Sequence, residues 1–156
     1  MPVRLGDLLS QETIALDATP GDWSESVRLA GGLLVSIGAV LPSYIDAMVR
    51  AVEDIGPYMV LAPGIALAHA RPEDGVQRPC MSLVRLAIPV EFGSEANDPV
   101  DLVFAFGATD KETHLEALKE LVMLLQDEEA IRELRQCATP EDTVRLINRH
   151  AQGGPG

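Results

Sequence analysis

The side chains of this chain best suited to chemistry near neutral pH are its three histidines, His69, His114 and His150. A neutral imidazole is a competent nucleophile, and its ordinary pKa lies close to physiological pH. His69 sits in Ala66-Leu-Ala-His-Ala-Arg-Pro-Glu73. On a strand, Ile65, Leu67 and His69 share one face, and Pro72 stops the strand just beyond. His69 is then a strand-end residue beside a loop, where open α/β sheets place their sites. Its neighbours Ala68 and Ala70 are small enough to leave room for a reactant. His114 lies in Thr109-Asp-Lys-Glu-Thr-His-Leu115, where a helix starts just after an apolar run. Helix N-termini favour anions. If the two rings meet, one can attack and the other can steady anionic oxygens. That suits phosphoryl transfer, which asks mainly for positioning and charge stabilisation.

Residue type alone also allows a plainer reading: His69 as a hydrogen-bonded strand residue, and His114 as an ordinary helix-start residue. His150 reads as a surface residue near the C-terminus. Arg71 and Arg85 could bind phosphate or simply meet solvent. A metal site built from His69, His114 and Cys80 has no support in their spacing. Asp98 and Asp101 flank Pro99 and read as loop and strand-start residues rather than an acid–base pair.

The elements that must position these residues can be read from periodicity. A short helical turn is expected at Leu5–Leu9 and a strand at Thr13–Asp17. Asp22 and Glu25 have capping-box spacing. They precede a helical stripe of Val27, Ala30, Leu33, Leu34 and Ile37 that ends at Gly38. Gly31 and Gly32 inside it imply close packing on a neighbour. The next helix has Ser43 as its expected N-cap and buries Tyr44, Met48, Ala51, Val52 and Ile55 before Gly56-Pro57. Strands follow at Tyr58–Ala62, Ile65–Ala70, Ser82–Val90 and Val100–Phe106, the first two joined by Pro63-Gly64. The last strand is almost wholly apolar, as a central strand covered on both faces would be. Helices are expected from Thr113 to Gln126, from near Asp127, and from Thr139-Pro140. This order argues for an α/β fold in three α/β/α layers, a mixed central β-sheet flanked by helices. Residues 1–150 are expected to form one domain and residues 151–156 a flexible tail.

Composition narrows the class. The chain has 156 residues, 47% of them hydrophobic, enough for one well-packed core. Its 24 acidic side chains against 12 basic ones give a net charge of −12. That disfavours nucleic acid and anionic membrane and favours a basic protein partner. Cys80 and Cys137 form no metal or redox motif and are expected to be reduced thiols in a cytoplasmic protein. The longest uncharged apolar stretch, from Leu29 to Tyr44, is too short and too broken by Gly and Pro to span a bilayer.

The residues then match a known pattern. The chain resembles the mannitol/fructose class of enzyme IIA of the bacterial sugar phosphotransferase system, most closely its ascorbate-type branch. The strongest stretch is Gly56-Pro-Tyr-Met-Val-Leu-Ala-Pro-Gly-Ile-Ala-Leu-Ala-His-Ala-Arg-Pro-Glu-Asp-Gly75. Further matches are Trp23-Ser-Glu25, Ala30-Gly-Gly-Leu-Leu34, Tyr44-Ile-Asp-Ala-Met48, Val90-Glu-Phe-Gly93, Asn97-Asp-Pro-Val100 and His114-Leu-Glu-Ala-Leu118. The resemblance implies the three-layer fold, His69 as a phosphohistidine intermediate and His114 as the second active-site histidine. It implies the small phosphocarrier protein HPr as donor. The implied acceptor is an enzyme IIB, which serves a membrane enzyme IIC. No metal or cofactor is implied, because the phosphoryl group arrives already activated on nitrogen. Ascorbate or a related acidic sugar follows from the branch by analogy. Two positions depart from the pattern. Ala68 stands before His69 where relatives usually have proline. The arginine that mannitol-type relatives carry on the helix near Tyr44 falls at Ala51, one position from Arg50, so its role is not carried to Arg50. Arg71, beside His69, is the expected substitute as a phosphate-binding residue. Two other readings fit the same fold: a regulatory module that gates a partner when phosphorylated, and a non-catalytic binding domain.

Overall fold

The computed structural model describes residues 4–56 and 59–152, with backbone alone for Ile55, Ala151 and Gln152. The described helices are α1 (Leu5–Leu8), α2 (Trp23–Ser36), α3 (Pro42–Ile55), α4 (Lys111–Leu125), α5 (Glu128–Gln136) and α6 (Pro140–Gln152). The described strands are β1 (Ile14–Ala18), β2 (Val60–Ala62), β3 (Ile65–Ala68), β4 (Cys80–Val90) and β5 (Val100–Gly107). They form one mixed sheet in the order β1-β4-β5-β3-β2. The apolar run Val100–Phe106 is its central strand, as its composition requires.

Strand alternation divides the core into two layers. Ile65, Leu67, Leu102, Phe104 and Phe106 face the side covered by α1, α4, α5 and α6. Ala66, Ala68, Val84, Val103 and Ala105 face α2 and α3. Gly31 of α2 shows why a glycine is needed between those helices. A Cβ there would stand 2.8 Å from Ile45 Cγ1 and 2.9 Å from Met48 Cε. Gly32 meets nothing within 4 Å, so the expected close packing belongs to Gly31 alone.

Pairing direction decides where the site lies. β3 runs parallel to β5, with Ile65 opposite Leu102 and Ala68 opposite Ala105. The C-terminal ends of both strands therefore reach the same edge of the sheet. His69 follows β3 at that edge, and α4 begins just past β5.

Several element ends differ from the expectations. Ser43 does not cap α3. Leu41 is the N-cap and Pro42 takes the first helical position, where its missing N–H costs nothing. The Ser43 hydroxyl instead donates to the Asp74 carbonyl, 3.1 Å away. α4 starts at Lys111, earlier than Thr113, because Asp110 caps it by accepting from the Thr113 N–H at 2.8 Å. Asp22 caps α2 through the Glu25 N–H, but the Glu25 carboxylate reaches back to the Gly21 N–H, so only half of the capping box forms. β3 stops at Ala68, so His69 and Ala70 lie just outside the ladder. α6 runs on through Ala151 and Gln152, into the stretch expected to be a tail. Residues 153–156, Pro57, and Tyr58 as the expected first residue of a strand lie outside the described residues, as does the Ile55 side chain. Among the described residues no helix is long and apolar enough to cross a membrane.

Candidate functional site

His69 and His114 face each other at the C-terminal edge of β3 and β5. Their ring centroids are 6.3 Å apart, tilted by 60°. His69 continues the face of Ile65 and Leu67, which is the face α4 covers. His114 is one turn into α4 and rests on the Phe106 ring, centroid to centroid 5.2 Å. Both histidines are half-buried. They open into a cleft of about 560 Å³, lined also by Ala47, Arg50, Asp54 and Arg71.

The His69 ring is oriented by its own strand. Its Nδ1 lies 3.3 Å from the Leu67 carbonyl. A carbonyl can only accept, so this bond requires the proton on Nδ1 and leaves the lone pair on Nε2. Burial pushes the His69 pKa below the ordinary imidazole value; the Leu67 carbonyl raises it in part, and the nearby His114 lowers it again. The ring is therefore neutral near pH 7, the form a nucleophile needs.

The cations divide by surroundings. Arg71 lines the cleft, yet its Nε lies 3.6 Å from Asp74 Oδ2 and its side chain is 76% exposed. Arg50 also lines the cleft, and among the described residues it makes no ion pair. Its place was legible as a stripe: Ala47, Arg50, Ala51 and Asp54 recur at helical spacing on α3. Small residues beside a cation leave a groove there, flanking the buried line of Tyr44, Met48 and Val52.

Arg85, a phosphate-binding candidate by type, is elsewhere. It lies opposite Leu102, four residues back along β5 from Phe106, about 13 Å at the usual strand rise. Only 9% exposed, it donates to the Leu134 and Cys137 carbonyls at the end of α5 and pairs with Asp17 at 3.2 Å. It closes a helix rather than binding a ligand. His150 is less exposed than expected: its Nε2 lies 3.4 Å from Asp127 Oδ2, joining α6 to the start of α5. Cys80 is buried, and burial pushes its thiol up to about 11. Among the described residues no three His, Cys, Asp or Glu side chains converge as metal ligands would. Asp98 accepts the Phe92, Gly93 and Ser94 N–H groups and organises its own loop.

Comparison with known proteins gives the family. Residues 7–150 match the family described as phosphoenolpyruvate-dependent sugar phosphotransferase system, EIIA 2. The chain belongs to this family. The Escherichia coli ascorbate-specific EIIA component is 41% identical over 149 residues, covering 94% of this chain and 97% of the relative. The solution structure of the mannitol-specific cryptic enzyme IIA CmtB from Escherichia coli superposes with a TM-score of 0.85. It is 31% identical, covering 94% of this chain and 99% of that one. The mannitol enzyme IIA of Escherichia coli, solved in complex with phosphorylated enzyme IIB, gives a TM-score of 0.79. It is 29% identical, covering 90% of this chain and 96% of that one. As an enzyme IIA, the chain is a phosphotransferase, a phosphoryl carrier of the sugar phosphotransferase system.

Proposed function

We propose that His69 carries the phosphoryl group, on Nε2. The observation that supports this most is the facing pair of imidazoles in an open cleft at one sheet edge, 6.3 Å between centroids. The donor is phosphorylated HPr, as the family pattern implies. The Nε2 lone pair of His69 attacks phosphorus as the donor's own nitrogen–phosphorus bond breaks. That electron pair returns to the donor imidazole. The Nδ1–H stays on the Leu67 carbonyl throughout, so the phosphorylated ring keeps its orientation.

His114 lies across the cleft, where a ring N–H can meet the transferring oxygens. Arg50 supplies a second positive group from α3. Both act where charge spreads in the transition state, the place electrostatic help lowers the barrier most. The acceptor is an enzyme IIB, by analogy with the mannitol enzyme IIA solved in complex with its own phosphorylated IIB. The sugar is ascorbate or a related acidic sugar, after the ascorbate-specific relative. A net charge of −12 suits docking to a basic partner face.

Incubation with phosphoenolpyruvate, enzyme I and HPr, followed by intact-mass analysis, tests the reading. Wild type is expected to gain one acid-labile phosphoryl group and His69→Ala none, with an unchanged far-UV spectrum. Normal labelling of the variant would sink the assignment.

A further inference from the structure

β3 and β5 pair in parallel up to Ala68 opposite Ala105. The Leu102 N–H donates to the Gly64 carbonyl at 3.0 Å, and the alternation of a parallel ladder then fixes the next rung: the Ala70 N–H would donate to the Phe106 carbonyl. The rung is not made directly. The Tyr44 hydroxyl of α3 stands in its place. It accepts from the Ala70 N–H at 3.0 Å and lies 2.7 Å from the Phe106 carbonyl, with the Ala70 carbonyl at 3.3 Å. A hydroxyl has one proton, and the shorter contact makes Phe106 its acceptor. The ladder thus continues through an oxygen: Ala70 N–H to Tyr44 O–H to Phe106 carbonyl.

Inserting a hydroxyl into a ladder holds two strands apart where they would otherwise close. The residues on either side of this wedge are the ones that matter. Ala70 follows His69 directly, and the Phe106 ring supports His114. Tyr44 itself is fully buried, so the hydroxyl cannot drift. The geometry points to Tyr44 as a positioning residue: its hydroxyl spreads the ends of β3 and β5 and thereby sets the gap between the His69 and His114 rings. The hydroxyl acts through the Ala70 and Phe106 backbone groups that it bonds. A methylene-scale closure there changes the distance that an in-line transfer depends on, and misplacement of that order slows reactions steeply.

The kinetic part of this inference rests on His69 being the phosphoryl carrier; the geometric part does not. The test compares Tyr44→Phe with wild type and with Ile131→Val, a core variant on α5 chosen to lower stability without touching the wedge. Transfer from phosphorylated HPr is followed by rapid quench, the ring nitrogens of His69 and His114 by NMR, and stability by thermal melting. Tyr44→Phe is expected to slow transfer about tenfold or more and to shift both sets of ring resonances. Ile131→Val is expected to melt earlier while leaving transfer and resonances alone. Transfer within about twofold of wild type, with unmoved ring resonances in Tyr44→Phe, would overturn the proposal. If wild type takes no phosphoryl group at all, the carrier reading falls. The resonances then decide the wedge alone: shifted supports it, unshifted rejects it.

Discussion

The two ends of β3 and β5 use similar residue types to opposite effect. At the end where these strands begin, Arg135 forks onto Asp101, Nε to Oδ2 at 2.8 Å and a terminal nitrogen to Oδ1 at 3.0 Å, and reaches the Pro63 carbonyl at 3.3 Å. Nearby, Asp98 takes three backbone N–H groups. Charges there are matched within the fold, and the result is a fixed turn. At the end where the strands finish, the ladder stops early and a hydroxyl is inserted. Two histidines and Arg50 line an open cleft. The difference teaches that a site is made less by which polar residues are present than by which are left with capacity for a guest. A charge already held by its own fold has little to offer a phosphoryl group.

The largest effect is expected at the open end. His114→Ala should slow phosphoryl transfer on the order of 100-fold, as loss of one stabilising donor does elsewhere. The melting temperature should hardly move. A rapid-quench assay reads the first and calorimetry the second; a rate near wild type would mean that the facing rings are coincidental. The converse holds at the matched arginine. Arg85→Met should cost about 2 kcal/mol of stability, because the last carbonyls of α5 lose their donor. Transfer at a temperature where the variant is folded should stay normal, and a specific transfer defect would contradict the structural role.

The two cleft arginines sharpen the contrast further. Arg50→Ala is expected to slow transfer about tenfold, the scale of one charged hydrogen bond. Arg71→Ala should cost less than about threefold, since that guanidinium is paired with Asp74 and largely in water. The reverse order would restore Arg71 as the phosphate ligand. The smallest effect expected is that of pH. Burial holds the His69 pKa below its ordinary value near 6.5. Acceptance should therefore persist to lower pH than an ordinary imidazole would allow, and decline as pH falls through the lowered pKa. The unfolded chain binds this proton first as pH falls, so the contribution of His69 to stability is full above pH 6.5 and shrinks toward the lower folded pKa. An NMR titration showing His69 at or above 6.5 would refute both statements.

Much of the fold was legible in the residues because period and capping are local. The apolar run Val100–Phe106 announces a central strand, and Thr139-Pro140 announces a helix start, with Thr139 Oγ1 accepting from the Asp142 N–H. Ser43 misled because a hydroxyl before an apolar stripe resembles a cap, while the neighbouring Pro42 had already claimed the first turn. Arg85 was ambiguous for a different reason. Nothing near it in sequence reveals that the end of α5, some fifty residues on, comes to rest on it. Arg50 was passed over because comparison of register looks along the chain, whereas the cleft gathers one stripe of a helix.

By itself the sequence determined the candidates: His69 at a strand end with small neighbours, His114 at a helix start, and a family pattern spanning nearly the whole chain. Those properties depend on residue type and short-range spacing, which a chain carries before it folds. Only the tertiary structure decided that β3 lies parallel to β5, so that the two histidines share an edge, and that Tyr44 enters the gap between those strands. Forty-five residues separate His69 from His114, and Tyr44 precedes both. Distances across such intervals are set by which strands pair and which faces pack, and those are global outcomes of burying one core.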